Sequence, residues 1–185
     1  MSQDAASGVK ADARRAELVS RLADTLLADG LAAASLRSLA RAAGTSDRML
    51  LYYFPTKESL MTAALVHLAG RLEAALSEAA APSRAPADIL FVRVGHQVLD
   101  DAFWPYMRLW LEIAARAGAG EAPYLDAARV IASGFLSWIT HQLDAPAERH
   151  AADAARLFAQ IEGLVILKAA GLEEACDTAL GGGTI

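Results

Sequence analysis

The feature that most limits what this chain can fold into is its missing alternation. Alanine and leucine recur at three- and four-residue spacing from end to end, β-branched residues are sparse, and no period-2 apolar/polar pattern lasts the about four to eight residues of a half-buried strand. Such a chain satisfies its backbone in helices, and the pattern predicts an all-α protein with strand content near zero. Hydrophobic residues make up 55% of the 185, which supplies a sizeable core. No run approaches the ~18 apolar residues of a membrane span, and the opening MSQDAASGVKADARR has no apolar stretch of the kind a secretory signal needs. The expectation is a soluble cytoplasmic protein with no membrane partner. Cys176 is the only cysteine, so neither an intramolecular disulfide nor a Cys-based zinc cluster is available.

Helix punctuation divides the chain. The first helix is predicted over about 12–29, with Leu18, Leu22 and Leu26 on one stripe, Val19, Ala23 and Leu27 beside it, and Gly30 as its stop. Ser35 and Ser46 are good N-caps for two short helices, one ending at Gly44 and the other before Pro55; Thr56 caps a long fourth helix reaching about residue 80. APSRAPAD, residues 81–88, reads as a turn between helices. Further helices are expected at about 87–101, 104–118, 122–144 and 147–170, with a short one over 172–180. The domain reading is a disordered tail at 1–11, a helix-turn-helix domain at 12–57, a helical body at 58–180 and a flexible tail at 181–185.

Two short capped helices joined through Gly44-Thr45 have the spacing of a helix-turn-helix, whose second helix enters the major groove. The run SLRSLARAAGTSDRMLLYYFPTKESLM, residues 35–61, resembles the DNA-binding signature of the TetR family of bacterial regulators. The resemblance spans about residues 12–70: an alanine-rich supporting helix, Gly44 at the turn, Ser46 opening the recognition helix, the aromatic run Tyr52-Tyr53-Phe54, and Lys57-Glu58 opening a long helix. It implies an N-terminal DNA-binding domain, a C-terminal body that binds ligand and dimerises, and a DNA operator with inverted repeats.

Only the start of a recognition helix reaches base edges, and here it offers Thr45, Ser46, Asp47, Arg48 and Met49. Arg48 suits a bidentate contact to guanine. By the resemblance, Arg37 reaches a base or phosphate, and Ser35, Tyr52, Tyr53 and Lys57 contact phosphates, a task for hydroxyls, an ammonium group and a helix N-terminus. Leu51 replaces the family's usual tyrosine. Asp47 stands where a basic or neutral residue is commoner; it favours the helix dipole but repels phosphate unless it accepts from cytosine or steers Arg48. Leu36, Leu39, Leu50 and Phe54 read as core, Tyr53 as part core and part contact, and Arg41 as solvated. Arg14 and Arg15 fit either a DNA-backbone contact or a charged surface. The net charge of −5 hides an asymmetry: residues 1–60 hold 8 Lys+Arg against 7 Asp+Glu, and residues 61–185 hold 9 against 15.

The body carries all three tryptophans. Trp104, Met107, Trp110, Phe135, Trp138 and His141 are the candidate lining of a pocket for an unidentified small apolar or aromatic ligand, a composition that equally describes packed core. Leu157, Phe158, Ile161, Leu164 and Val165 mark the helix expected to pair two copies into a homodimer, and central core is the alternative for the same residues. Arg108 and Glu112 read as a surface i,i+4 ion pair. His96, His141 and Glu112 lack metal-ligand spacing, and no nucleophile elbow, phosphate loop or carboxylate pair is legible, so neither a metal, a cofactor nor a catalytic site is predicted. The function read from the sequence is a repressor that a small molecule releases from its operator. A regulator without ligand is the alternative, with an all-α enzyme or interaction module more remote.

Overall fold

The computed structural model describes residues 2–79 and 83–181, with the side chains of 8–32, 34–78 and 83–181. Among these described residues nine α-helices follow in order: α1 Ser2–Asp29, α2 Leu36–Ala42, α3 Asp47–Tyr53, α4 Lys57–Ala79, α5 Ala87–Leu99, α6 Trp104–Gly118, α7 Ala122–Gln142, α8 His150–Ala169 and α9 Glu173–Ala179. No strand occurs among the described residues. A single isolated bridge joins Ala85 to Leu143, closed by Ala85 N–H on the Gln142 carbonyl and Asp144 N–H on the Ala85 carbonyl, each 2.9 Å. The expected helices are present within a few residues, apart from two differences.

The first helix begins at Ser2, ten residues before the expected start. The alanines there favour helix and no proline opposes it. Gly8, Val9 and Lys10 are exposed there. A 3₁₀ turn over Leu31–Ala33 was not expected; LAA carries no local signal for it. The proposed tail at 181–185 falls, past Gly181, outside the described residues.

The chain divides into two compact units: residues 1–70 with 109–128, and residues 71–108 with 129–185. Compactness thus carries the head beyond the expected boundary at residue 57. The first half of α4 buries Leu60, Met61, Ala64, Leu65 and Leu68, and the end of α6 and start of α7 add Leu109, Ile113, Tyr124 and Ala127. In the first unit α1 packs on the 3₁₀ turn and on α2, and α2 packs on α3. In the second, α8 is the centre, against α5 on one side and α9 on another. Leu164, Cys176 and Leu180 form one buried cluster there, with Phe91, Leu99 and Leu167 against it. No described helix is long and apolar enough to cross a membrane.

Candidate nucleic-acid interface

Local chemistry shapes the helix pair α2–α3. Ser35 caps α2 through a reciprocal box: its hydroxyl oxygen accepts from Ser38 N–H at 3.1 Å, and the Ser38 hydroxyl oxygen accepts from Ser35 N–H at 3.1 Å. Gly44 ends the helix at φ 64°, a left-handed turn that suits glycine, and Thr45 N–H returns to the Ala40 carbonyl at 2.9 Å. Ser46 then caps α3, accepting from Met49 N–H at 3.3 Å. Thr56 and Ser59 repeat the box at the start of α4.

These caps aim α3. Leu50 and Phe54 are buried, fixing one side of the helix in the core, while Ser46, Asp47, Arg48 and Met49 are exposed in its first turn and Thr45 is half-buried. Arg37 and Lys57 are also exposed, and among the described residues neither they nor Arg48 has an acidic partner within ion-pair distance. Among the described residues their charge is therefore not neutralised. Tyr52 stands 75% exposed, with Tyr53 half-buried behind it at 5.1 Å in an edge-on arrangement, so Tyr53 divides between core and surface as expected. Leu51 and Met49 are each 42% exposed, two apolar side chains in solvent on this short helix. Leu39 is buried with Leu50 and Phe54, whereas Leu36 is only half-buried.

Residues 21–64, which include this helix pair, match the bacterial regulatory proteins of the tetR family. The match covers the head alone. Solved structures extend the likeness beyond the head. A transcriptional regulator from Rhodococcus sp. Rha1 is 26% identical, with a TM-score of 0.68 over 90% of this chain and 94% of that one. A TetR-family regulator from Rhodococcus sp. shares the fold at 21% identity, TM-score 0.69, over 91% and 95% of the two chains. The multidrug-binding protein EbrR, solved with proflavin, shares it at 20% identity, TM-score 0.68, over 91% and 96%. No curated protein matches the chain in sequence.

The arginines of α1 are more committed than the sequence indicated. Arg14 donates to Glu17 at 2.6 Å, Arg21 pairs with the same carboxylate at 2.8 Å, and Arg15 lies over the Phe54 ring at 4.7 Å. Arg14, first of these causes, holds the Glu17 carboxyl below its ordinary value. Arg21 also donates to the Ala43 carbonyl at 3.2 Å, capping the C-terminal end of α2. Sequence reasoning placed these side chains on a polar face; Glu17 stands at helical spacing from Arg14 and Arg21, whereas Phe54 and Ala43 are distant in sequence and beyond helical periodicity.

Several of the predicted ligand residues have close partners of their own. Phe135 stacks on Trp138 at 5.6 Å and meets Phe158 edge-on at 5.3 Å, and the Trp138 indole N–H donates to the Ser77 hydroxyl at 3.0 Å. Trp104 packs under Lys168, whose Nζ lies 4.7 Å from the ring centre and donates to the Leu99 carbonyl. Met107 is buried and His141 exposed, its Nδ1 on the Ser137 carbonyl at 2.7 Å; Trp110, half-buried, belongs to the first unit. A groove of about 490 Å³ does open in the second unit, but Phe91, Val92, Asp153, Arg156, Leu157 and Leu180 are among its lining and none of the six predicted residues is.

The predicted pairing residues sit differently from expectation too. Leu157, Ile161, Leu164 and Val165 are at most 2% exposed within a single chain and Phe158 is half-buried, so these side chains serve the protomer's own core, the alternative the sequence had left open. The face of α8 that reaches solvent carries Ala155, Ala159, Gly163 and Ile166, the last 55% exposed. The ion pair expected between Arg108 and Glu112 gives way to a hydrogen bond from Leu31 N–H to Glu112 Oε2 at 2.7 Å. Among the described residues no cluster of His, Cys, Asp and Glu is arranged to hold a metal ion.

Proposed function

We propose that the protein is a cytoplasmic, homodimeric repressor that reads an inverted-repeat operator with two copies of α3 and releases it when a small apolar or aromatic molecule binds the second unit. The observation that carries the DNA-reading part is the exposed first turn of α3, backed by a core-anchored opposite face and flanked by uncompensated Arg37, Arg48 and Lys57. Arg48 reads a guanine edge, Thr45, Ser46, Asp47 and Met49 tune that contact, and Ser35, Arg37, Tyr52, Tyr53 and Lys57 hold phosphates. The second copy docks on the small-residue face of α8, where Ala155, Ala159 and Gly163 let another helix approach. The proflavin complex of EbrR supports the ligand part by fold alone.

Selection of bound sequences from random duplex DNA tests the reading. The expected product is two inverted half-sites about 10 base pairs apart, centre to centre, or a multiple of that. An unenriched pool, or one unpaired half-site, refutes it. For the ligand, a panel of planar aromatic compounds including proflavin is expected to contain one that quenches tryptophan fluorescence, raises thermal stability and weakens operator binding together.

A second reading, a regulator that needs no ligand, is favoured by one observation: the groove in the second unit is lined by none of the six candidate ligand residues. A panel without any coupled hit supports it.

A further inference from the structure

The chain leaves α1 at Gly30, with φ 73° and ψ −177°, a region where essentially only glycine rests. The next residue, Leu31, drops its side chain into the core at 4% exposure. Its N–H belongs to the start of the 3₁₀ turn and is taken by Glu112 Oε2 at 2.7 Å, across 81 residues of sequence. A Cβ built on Gly30 would lie 2.5 Å from Glu112 Oε1 and 3.1 Å from Oε2. The carboxylate therefore lies against this corner more closely than any side chain at position 30 permits. Hydrogen bond and close approach are separate observations on adjacent residues, and all three residues belong to the first unit.

We propose that Glu112 is a positioning residue for DNA recognition: its carboxylate pins the Gly30–Leu31 corner and thereby sets where α2 and α3 stand against α1. The inference rests on the DNA-reading role proposed above. From the corner the chain runs through the 3₁₀ turn to the Ser35 cap, along α2, and through Gly44 into α3. The far end of α2 is held to α1 by Arg21 on the Ala43 carbonyl. Glu112 is the counterpart at the near end, so without it α2 pivots about its Arg21 attachment. Seven residues of helix make a lever of about 10 Å at ~1.5 Å per residue. A rotation of about 10° moves groups ~10 Å from that pivot by roughly 1.7 Å, at the start of α2 and, through the Gly44 turn, along α3 alike, past the roughly 0.5 Å tolerance of a recognition constellation. Base contacts fail under such a displacement, while contacts to phosphate, which adapt through long side chains and water, persist.

Glu112→Ala and Glu112→Gln separate positioning from general stability, because glutamine keeps an accepting oxygen at the same reach. Binding is measured to a duplex that the wild-type protein selects from a random pool and to a scrambled duplex of equal length, alongside thermal melting. Glu112→Ala is expected to lose about tenfold or more on the selected duplex and less than about twofold on the scrambled one, with Glu112→Gln within about threefold of wild type on both. An equal loss on the two duplexes, an unchanged Glu112→Ala, or a Gln variant as poor as Ala overturns the proposal. If Glu112→Ala does not fold, Glu112→Asp, one methylene shorter, carries the test: selective loss on the selected duplex supports the role and wild-type behaviour refutes it. A wild-type protein that selects no sequence overturns the DNA-reading role itself, before any variant is compared.

Discussion

Helix α8 offers a prediction in which one helix gives opposite results on its two faces. Leu164 is 2% exposed and packs with Cys176 and Leu180, whereas Ile166, two residues on, is 55% exposed. Leu164→Ala removes buried methyl groups from the protomer's own core and costs about 2–5 kcal/mol. For a chain of this size about 1 kcal/mol moves the melting midpoint by roughly 2–4 °C, so a fall of about 4–20 °C is expected. Ile166→Glu places a charge on a face that a single chain leaves in water, and costs the isolated protomer no more than about 0.5 kcal/mol. In a dimer docked through that face the same charge is buried, at a penalty of about 3 kcal/mol or more. Each ~1.4 kcal/mol is tenfold, so the dimer dissociation constant rises by about a hundredfold or more. Sedimentation equilibrium over a range of protein concentrations reads the second effect, and thermal melting at fixed concentration reads the first. An Ile166→Glu protein that dimerises as tightly as wild type moves the pairing surface off this face of α8. A Leu164→Ala protein that melts like wild type contradicts the packing of α8 on α9.

Arg48→Ala is expected to weaken binding to the selected operator by about 1–3 kcal/mol and to relax preference at one base position, read by repeating the selection with the variant. Lys57→Ala, at a position proposed to contact phosphate, is expected to weaken binding to all duplexes alike and to lower the slope of log K against log salt by roughly 1; a change of preference with the slope intact removes it from the phosphate set. Burial, followed by the neighbouring charges of Asp177 and Glu173, pushes the Cys176 thiol up from its ordinary value. The folded chain thus resists forming a thiolate that the unfolded chain forms readily. Native protein is expected to react slowly with iodoacetamide and unfolded protein quickly, and stability to fall as the pH climbs through the ordinary thiol range of about 8–9. Cysteine→Ala at 176 should remove the alkaline part of that fall; an identical profile assigns it to other groups.

The local grammar of this chain was legible before any coordinates. Ser35, Ser46 and Thr56 cap helices, Gly30 and Gly44 stop them, and Leu18, Leu22 and Leu26 face inward, because caps, left-handed glycines and a 3.6-residue period act within a turn or two of sequence. The same grammar located the helix pair and exposed Arg48. It did not reveal which broad apolar face of α8 stays inside the protomer, because Leu157, Ile161 and Leu164 have the same composition whether a neighbouring helix or a second chain covers them. Nor did it give the contacts between helices: Phe135 with Phe158, and Trp104 with Lys168, are matters of which helices meet. Glu112 shows the limit most plainly. In sequence it is one acid four residues after Arg108; in the structure it closes a corner 81 residues away. Propensity and periodicity act on neighbours, but burial is summed over the whole chain. Only that sum decides which distant groups share a contact.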